Sequence, residues 1–269
     1  MIKISFLTAP VPSPNSRLEL EEFELETEKI SEPLKILHLS DLHFTRWGRL
    51  EDKLLAEVAG LEFDLMVMTG DYIDNMRNFG KFRTFLQQLS RQVPAFAVPG
   101  NHDYRYDLDK IGRALSGAGI RLLRNEQVEL KVSGSLINIV GVGCPRMDRH
   151  RFAHACAPEK SGKGFNLVLS HTYQVIEQIE EMARVHPLSE QELVLAGDTH
   201  GRQVDLPVVR FFFDLIYQED YVAGLFELES ENIGHIYVNR GLGVSAVPLR
   251  INCPPEMTMI ELKPGITAD

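Results

Sequence analysis

Ile36-Leu37-His38-Leu39-Ser40-Asp41-Leu42-His43 is a short apolar run that ends in metal-ligand side chains, and the chain repeats this design. Leu65–Met68 leads into Gly70-Asp71, and 95–98 leads into Gly100-Asn101-His102-Asp103. Phe165–Leu169 precedes Ser170-His171, and 193–196 precedes Gly197-Asp198-Thr199-His200. Each run reads as a buried strand with ligands at its tip. Alternation places Asp41 and His43 on one face with Leu42 on the other. Gly70 and Gly100 permit the tight turns that set the next residue at a strand's end. Any one of these segments alone is an ordinary turn, but five of one design are not coincidence. Carboxylates, an amide and imidazoles form a hard-to-borderline donor set with room for two divalent ions. Such a pair is a device for attacking phosphate esters.

Working outward, helices are expected at about 50–60, Phe79–Leu89 and 108–118, between strands spaced as in βαβ units. The second half is richer in strands. The stretches 128–132 and 136–142 flank Gly134 like a hairpin, a helix near 173–185 lies between two apolar strands, and 222–228 pairs with Ile233–Val238. A last strand at 257–262 closes the sheet. Before Pro33, 3–8 and 18–26 read as a β-hairpin, which occupies about 1–30. The pattern predicts one α/β domain over 1–269, with two sheets packed face to face and helices outside.

The formal net charge of −10 argues against a nucleic-acid partner held on a broad basic face. A phosphorylated substrate remains compatible, because bound cations reverse the local field. Cys144, Cys156 and Cys253 are too dispersed for a disulfide framework or a thiolate zinc site. No signal h-region or membrane-length apolar stretch is evident, so a cytoplasmic protein is expected, any membrane contact being peripheral.

The order D-x-H, G-D, G-N-H-D, H, G-x-x-H, from Asp41 to His200, resembles the calcineurin-like metallophosphoesterase superfamily. Tyr237-Val-Asn-Arg-Gly-Leu-Gly243, Pro248-Leu-Arg-Ile-Asn-Cys-Pro-Pro-Glu256 and Ile260-Glu-Leu262 are similar to its YkuE/YaeI-type phosphodiesterase branch, as is Gly201-Arg202-Gln203. The resemblance implies a sandwich of two mixed sheets flanked by helices. It assigns one metal to Asp41, His43 and His200, the other to Asn101 and His171, with Asp71 bridging both and a bridging hydroxide as nucleophile. His102 would contact the phosphate and protonate the leaving oxygen, with Asp103 orienting its ring. Asp198 stands where the family usually has histidine. As a ligand it would favour manganese or magnesium over zinc; the alternatives are binding through water or a weakly held metal. Manganese is the expected ion, with iron, zinc or magnesium as alternatives. Tyr72-Ile-Asp-Asn after Asp71 departs from the protein Ser/Thr phosphatase pattern.

Two features lie outside this series. Phe211, Phe212 and Phe213 read either as an acyl-binding lip or as a loop packed on the sheet edge. Arg146 and Arg149, with His150, Arg151 and His154, read as a substrate-phosphate clamp or as a solvated face. His38 reads as a core residue. The expected function is hydrolysis of phosphodiester or pyrophosphate bonds in a small-molecule or lipid substrate. The alternatives are a lipid-linked UDP-sugar pyrophosphatase of the UDP-2,3-diacylglucosamine type and a non-catalytic metal-binding scaffold.

Overall fold

Alternating apolar residues on both faces of the central strands demand cover on both sides, and the chain supplies it in four layers. The computed structural model describes residues 4–6, 17–90, 92–144, 147, 155, 164–185, 190–207, 209 and 220–265. Arg146, Arg149, His150, Arg151, His154, Phe211, Phe212 and Phe213 lie outside the described residues.

The first sheet contains β1 (Ile4–Phe6), β2 (Glu19–Thr27), β3 (Leu34–Leu39), β4 (Leu65–Met68), β5 (Ala95–Ala97), β6 (Arg121–Leu122) and β13 (Glu256–Pro264). Their spatial order is β1-β2-β13-β3-β4-β5-β6. The second sheet contains β7 (Glu126–Val132), β8 (Ser135–Gly141), β9 (Phe165–Leu169), β10 (Gln191–Ala196), β11 (Gly224–Glu227) and β12 (Ile233–Val238), in the order β11-β12-β10-β9-β8-β7. β3, β4, β5 and β6 run parallel, as do β8, β9, β10 and β12, so ligand-bearing tips leave both sheets at one edge.

Ile36, Val67 and Phe96 from the first sheet meet Ile139, Leu167 and Leu195 from the second in the inter-sheet core. The intervening residues Leu37, Met66 and Ala97 face α1 (Arg49–Gly60), α2 (Phe79–Leu89) and α3 (Leu108–Ser116). On the far side, Val168 and Val194 pack beneath α4 (Val175–Ala183). The hairpins β1–β2, β7–β8 and β11–β12 are antiparallel, as the turn signals require.

The last strand differs from expectation. β13 does not close the second sheet; it enters the first, parallel to β2 and antiparallel to β3. Both its faces are apolar: Met257 and Met259 point to the helices, Ile260 and Leu262 to the inter-sheet core. A strand apolar on both faces belongs in a sheet interior.

His38 is fully buried, with its Nε2 2.8 Å from Thr69 Oγ1. Burial pushes its pKa down to about 3, against the pull of Asp41. The unfolded chain takes up this proton near the ordinary histidine pKa of about 6.5. The folded state therefore loses stability as pH falls from there towards 3, by up to about 1.4 kcal/mol per unit. Denaturant unfolding in chelator at pH 6.5 and 4.5 should show the native chain losing about 2 to 3 kcal/mol more than His38→Gln. Equal losses would contradict this reading.

Candidate metal centre

The five segments predicted to carry ligands converge where the parallel strands end. Backbone hydrogen bonds lock the tips together: Asp41 N–H donates to Gly70 O at 3.1 Å and His43 N–H to Asp71 O at 2.9 Å. Gly197 N–H donates to His171 O at 2.9 Å, joining the last two segments. Asp41, His43, Asp71, Asp198 and His200 all take positive φ, between 41° and 72°. Such backbone is unfavourable for residues with a Cβ, by about 1 kcal/mol or more each. The surrounding structure concentrates that strain at one place.

Two groups of donors result. In the first, His43 Nε2 lies 3.0 Å from His200 Nε2, 3.5 Å from Asp71 Oδ2 and 3.8 Å from Asp41 Oδ1. In the second, His171 Nε2 lies 3.2 Å from Asn101 Oδ1, 3.4 Å from Asp198 Oδ1 and 3.5 Å from Asp71 Oδ2. A single oxygen of Asp71 thus sits equally far from a histidine of each group. Its other oxygen accepts a hydrogen bond from His102 N–H at 2.8 Å, which fixes the carboxylate's orientation.

These residues fit divalent cations. Asp41 Oδ2 accepts from Ser40 Oγ–H at 2.5 Å, but the fully buried Oδ1 has no hydrogen-bond partner. An orphaned buried carboxylate oxygen needs a ligand. Two imidazole Nε2 atoms 3.0 Å apart hold at most one proton between them, a position a cation could take. His171 Nδ1–H donates to Thr69 O at 2.7 Å, leaving Nε2 as the donor atom towards the second group. Burial opposes charge throughout and wins at His200, pushed down to about 4, but attraction wins at its partners: Asp41 is held well below the usual carboxylate range by His200, His43 and His171. His43 is raised to about 10 by Asp41, Asp74 and Asp71, and His171 is raised by Asp71 and Asp198.

Gly100 is required by close approach, since a Cβ there would overlap Asp71 Oδ1 and the Asp71 backbone N. Gly100→Ala should displace the shared carboxylate and lower phosphodiester turnover by about 10²-fold, the scale of an ångström-sized misplacement. Steady-state rates alongside bound-metal analysis would check it; native rates would contradict it.

The support of His102 also differs from expectation. Asp103 does not orient His102. It is fully buried, and its carboxylate accepts from Asp71 N–H at 2.9 Å, Tyr72 N–H at 3.0 Å and Gly100 N–H at 2.8 Å. It therefore braces the turns that carry Asp71 and Asn101. Burial and the charge of Asp71 push its pKa up to about 7. The orienting group is Asp74, absent from the sequence-based set. Its Oδ1 accepts from His102 Nδ1–H at 2.9 Å and its Oδ2 from His43 Nδ1–H at 2.8 Å. One carboxylate thus fixes both the His43 ring of the first donor group and His102, whose Nε2 accepts from Arg105 Nη1–H at 3.2 Å. The only signal for Asp74 was its position three residues after Asp71.

A model of calcineurin-like phosphoesterases matches residues 34–200. The chain belongs to the calcineurin-like phosphoesterase family. Phosphodiesterase YaeI of Escherichia coli K12 is 36% identical to this phosphoesterase, over 86% of this chain and 82% of its own length. A metallophosphoesterase of Aquifex aeolicus VF5 is 30% identical over 91% and 92%. Among solved structures, the NAD nucleotidase NadN of Haemophilus influenzae is similar in fold, with a TM-score of 0.51 and 17% identity. That match covers 78% of the phosphoesterase and 45% of NadN, so this chain spans less than half of the larger protein. Phosphoesterases of this family use a dinuclear divalent metal centre, and the clusters Asp41/His43/His200 and Asp41/Asp71/His171 are candidate ligands. Among the described residues, no helix is long and apolar enough to cross a membrane.

Proposed function

We propose that this phosphoesterase hydrolyses phosphodiesters with two divalent cations, one held by Asp41, His43 and His200, the other by Asn101, His171 and Asp198, with Asp71 shared. The observation that carries this reading is Asp71 Oδ2, 3.5 Å from both His43 Nε2 and His171 Nε2. When bound, the cations would supply an activated water and neutralise charge on the phosphoryl oxygens. The protein's own groups do the rest. Asp71 N–H and Tyr72 N–H are tied to Asp103, so the turn bearing the shared carboxylate stays fixed. Asp74 holds His102 through Nδ1, which leaves Nε2, now against Arg105 Nη1, as the nitrogen that would give a proton to the leaving oxygen. The carboxylate at position 198 in place of an imidazole supports manganese. The name of the Escherichia coli relative supports a phosphodiester as the substrate class.

A second reading is a pyrophosphate bearing an acyl or other lipid group. Leu206, Val247 and Leu249 are exposed. Gln203, three residues beyond His200, donates from Nε2 to Val247 O at 2.5 Å, which ties the backbone at Val247 to the segment after His200. Cleavage of bis(p-nitrophenyl) phosphate, lost on chelation and restored by manganese, is expected. Protein inert towards phosphodiesters with manganese bound would overturn the first reading. Strong detergent or liposome dependence would favour the second.

A further inference from the structure

Two C-terminal stretches, 237–243 and 248–256, lie beyond the matched segment 34–200 and have no role so far. The fold brings both against the first donor group. Leu242 N–H donates to Ser40 O at 3.0 Å and Gly243 N–H to Asp41 O at 2.7 Å. A Cβ on Gly241 would meet Asp41 Cβ at 2.7 Å, and one on Gly243 would meet His43 Cβ at 2.7 Å. The first stretch is therefore pressed directly on two of the three ligands. The third, His200, is met by the second stretch.

Arg250 makes that contact. It is 5% exposed, and among the described residues none of its hydrogen bonds goes to a carboxylate. Nε–H donates to Gly243 O at 2.8 Å, Nη2–H to Arg240 O at 2.9 Å, and Nη2–H also to His200 Nδ1 at 3.2 Å. A buried guanidinium bonded to backbone carbonyls is costly to desolvate. Five donors in a planar fork make it a rigid spacer between two loops and one imidazole. Arg240, whose carbonyl it uses, is anchored in turn by Glu256 and by Glu21 at 2.6 Å. The anchor runs from β2 and β13 to the ring of His200.

We propose that Arg250 is a positioning residue for the first cation position: it fixes the His200 ring so that Nε2 faces Asp41 and His43. The inference rests on the two-cation reading above. Its effect is confined to one of the two positions, because the described contacts of Arg250 reach His200 and not His171, Asn101 or Asp198. Losing a group that orients a metal-binding histidine weakens affinity by about 10- to 100-fold.

Manganese titration of metal-free protein, followed by calorimetry, tests this. In Arg250→Met, which keeps length and removes every donor, one binding step should weaken by about 10- to 100-fold and the other remain at the native value. Arg250→Lys, keeping charge but not the fork, should weaken the same step by less. Loss from both steps alike, or from neither, would overturn the proposal. If Arg250→Met fails to fold, nitrogen-15 NMR of the native metal-free protein decides. An unprotonated His200 Nδ1 supports donation from Arg250, and a protonated one overturns it. A native protein that takes up no cations would defeat the two-cation reading. Native uptake of two, unchanged in both variants, would defeat only the role of Arg250.

Discussion

Asp71→Asn is expected to lower phosphodiester turnover by about 10³-fold or more, roughly 4 kcal/mol in the barrier, while the chain stays folded. The substitution is nearly isosteric, and its amide oxygen can still accept from His102 N–H, which Asp71 Oδ1 does at 2.8 Å. What disappears is the anionic oxygen lying 3.5 Å from both His43 and His171. Each donor group loses charge at once, and two bound cations would lose the anion that screens one from the other. Single-turnover rates measured with saturating manganese, beside a circular dichroism spectrum, would check the effect. A folded variant within tenfold of the native rate would show that Asp71 does not join the two groups.

The second large effect belongs to His102. His102→Ala should lower turnover by about 10²- to 10⁴-fold, the range for removing a positioned general acid. The size should depend on the leaving group. A p-nitrophenolate departs without a proton, so its diester should lose least; an alkoxide needs one, so alkyl diesters should lose most. A loss equal across leaving groups would make His102 a phosphate contact only. Asp74 already holds Nδ1–H at 2.9 Å, so Nε2, which meets Arg105 Nη1 at 3.2 Å, is the nitrogen through which this role would run.

Much of this was legible in the sequence because buried parallel strands must be apolar and must end somewhere. Ile36, Val67 and Phe96 announce the inter-sheet core, and the polar residues that follow fall at one edge. The fold, the convergence of Asp41, His43, Asp71, Asn101, His171, Asp198 and His200, and the core position of His38 follow from that pattern. Asp74 was not legible, because it follows no apolar run and acts through two histidines remote in sequence. Asp103 was misassigned because adjacency in the chain was taken for adjacency in space. It begins a 3-10 turn that directs its carboxylate under the backbone of Asp71 and Tyr72 instead. β13 was misplaced because chain order favours pairing with the preceding strand, whereas its two apolar faces suit the gap between β2 and β3. Arg250 stood within a noticed motif, but nothing local shows that a residue fifty positions after His200 returns to its ring.

Electron paramagnetic resonance of the manganese-loaded protein bears most directly on whether two cations share Asp71. An exchange-coupled spectrum from two ions per chain, replaced by isolated-ion signals in Asp71→Asn, is the predicted result. Manganese that gives only uncoupled signals at full loading of the native chain, or that does not bind, would contradict it.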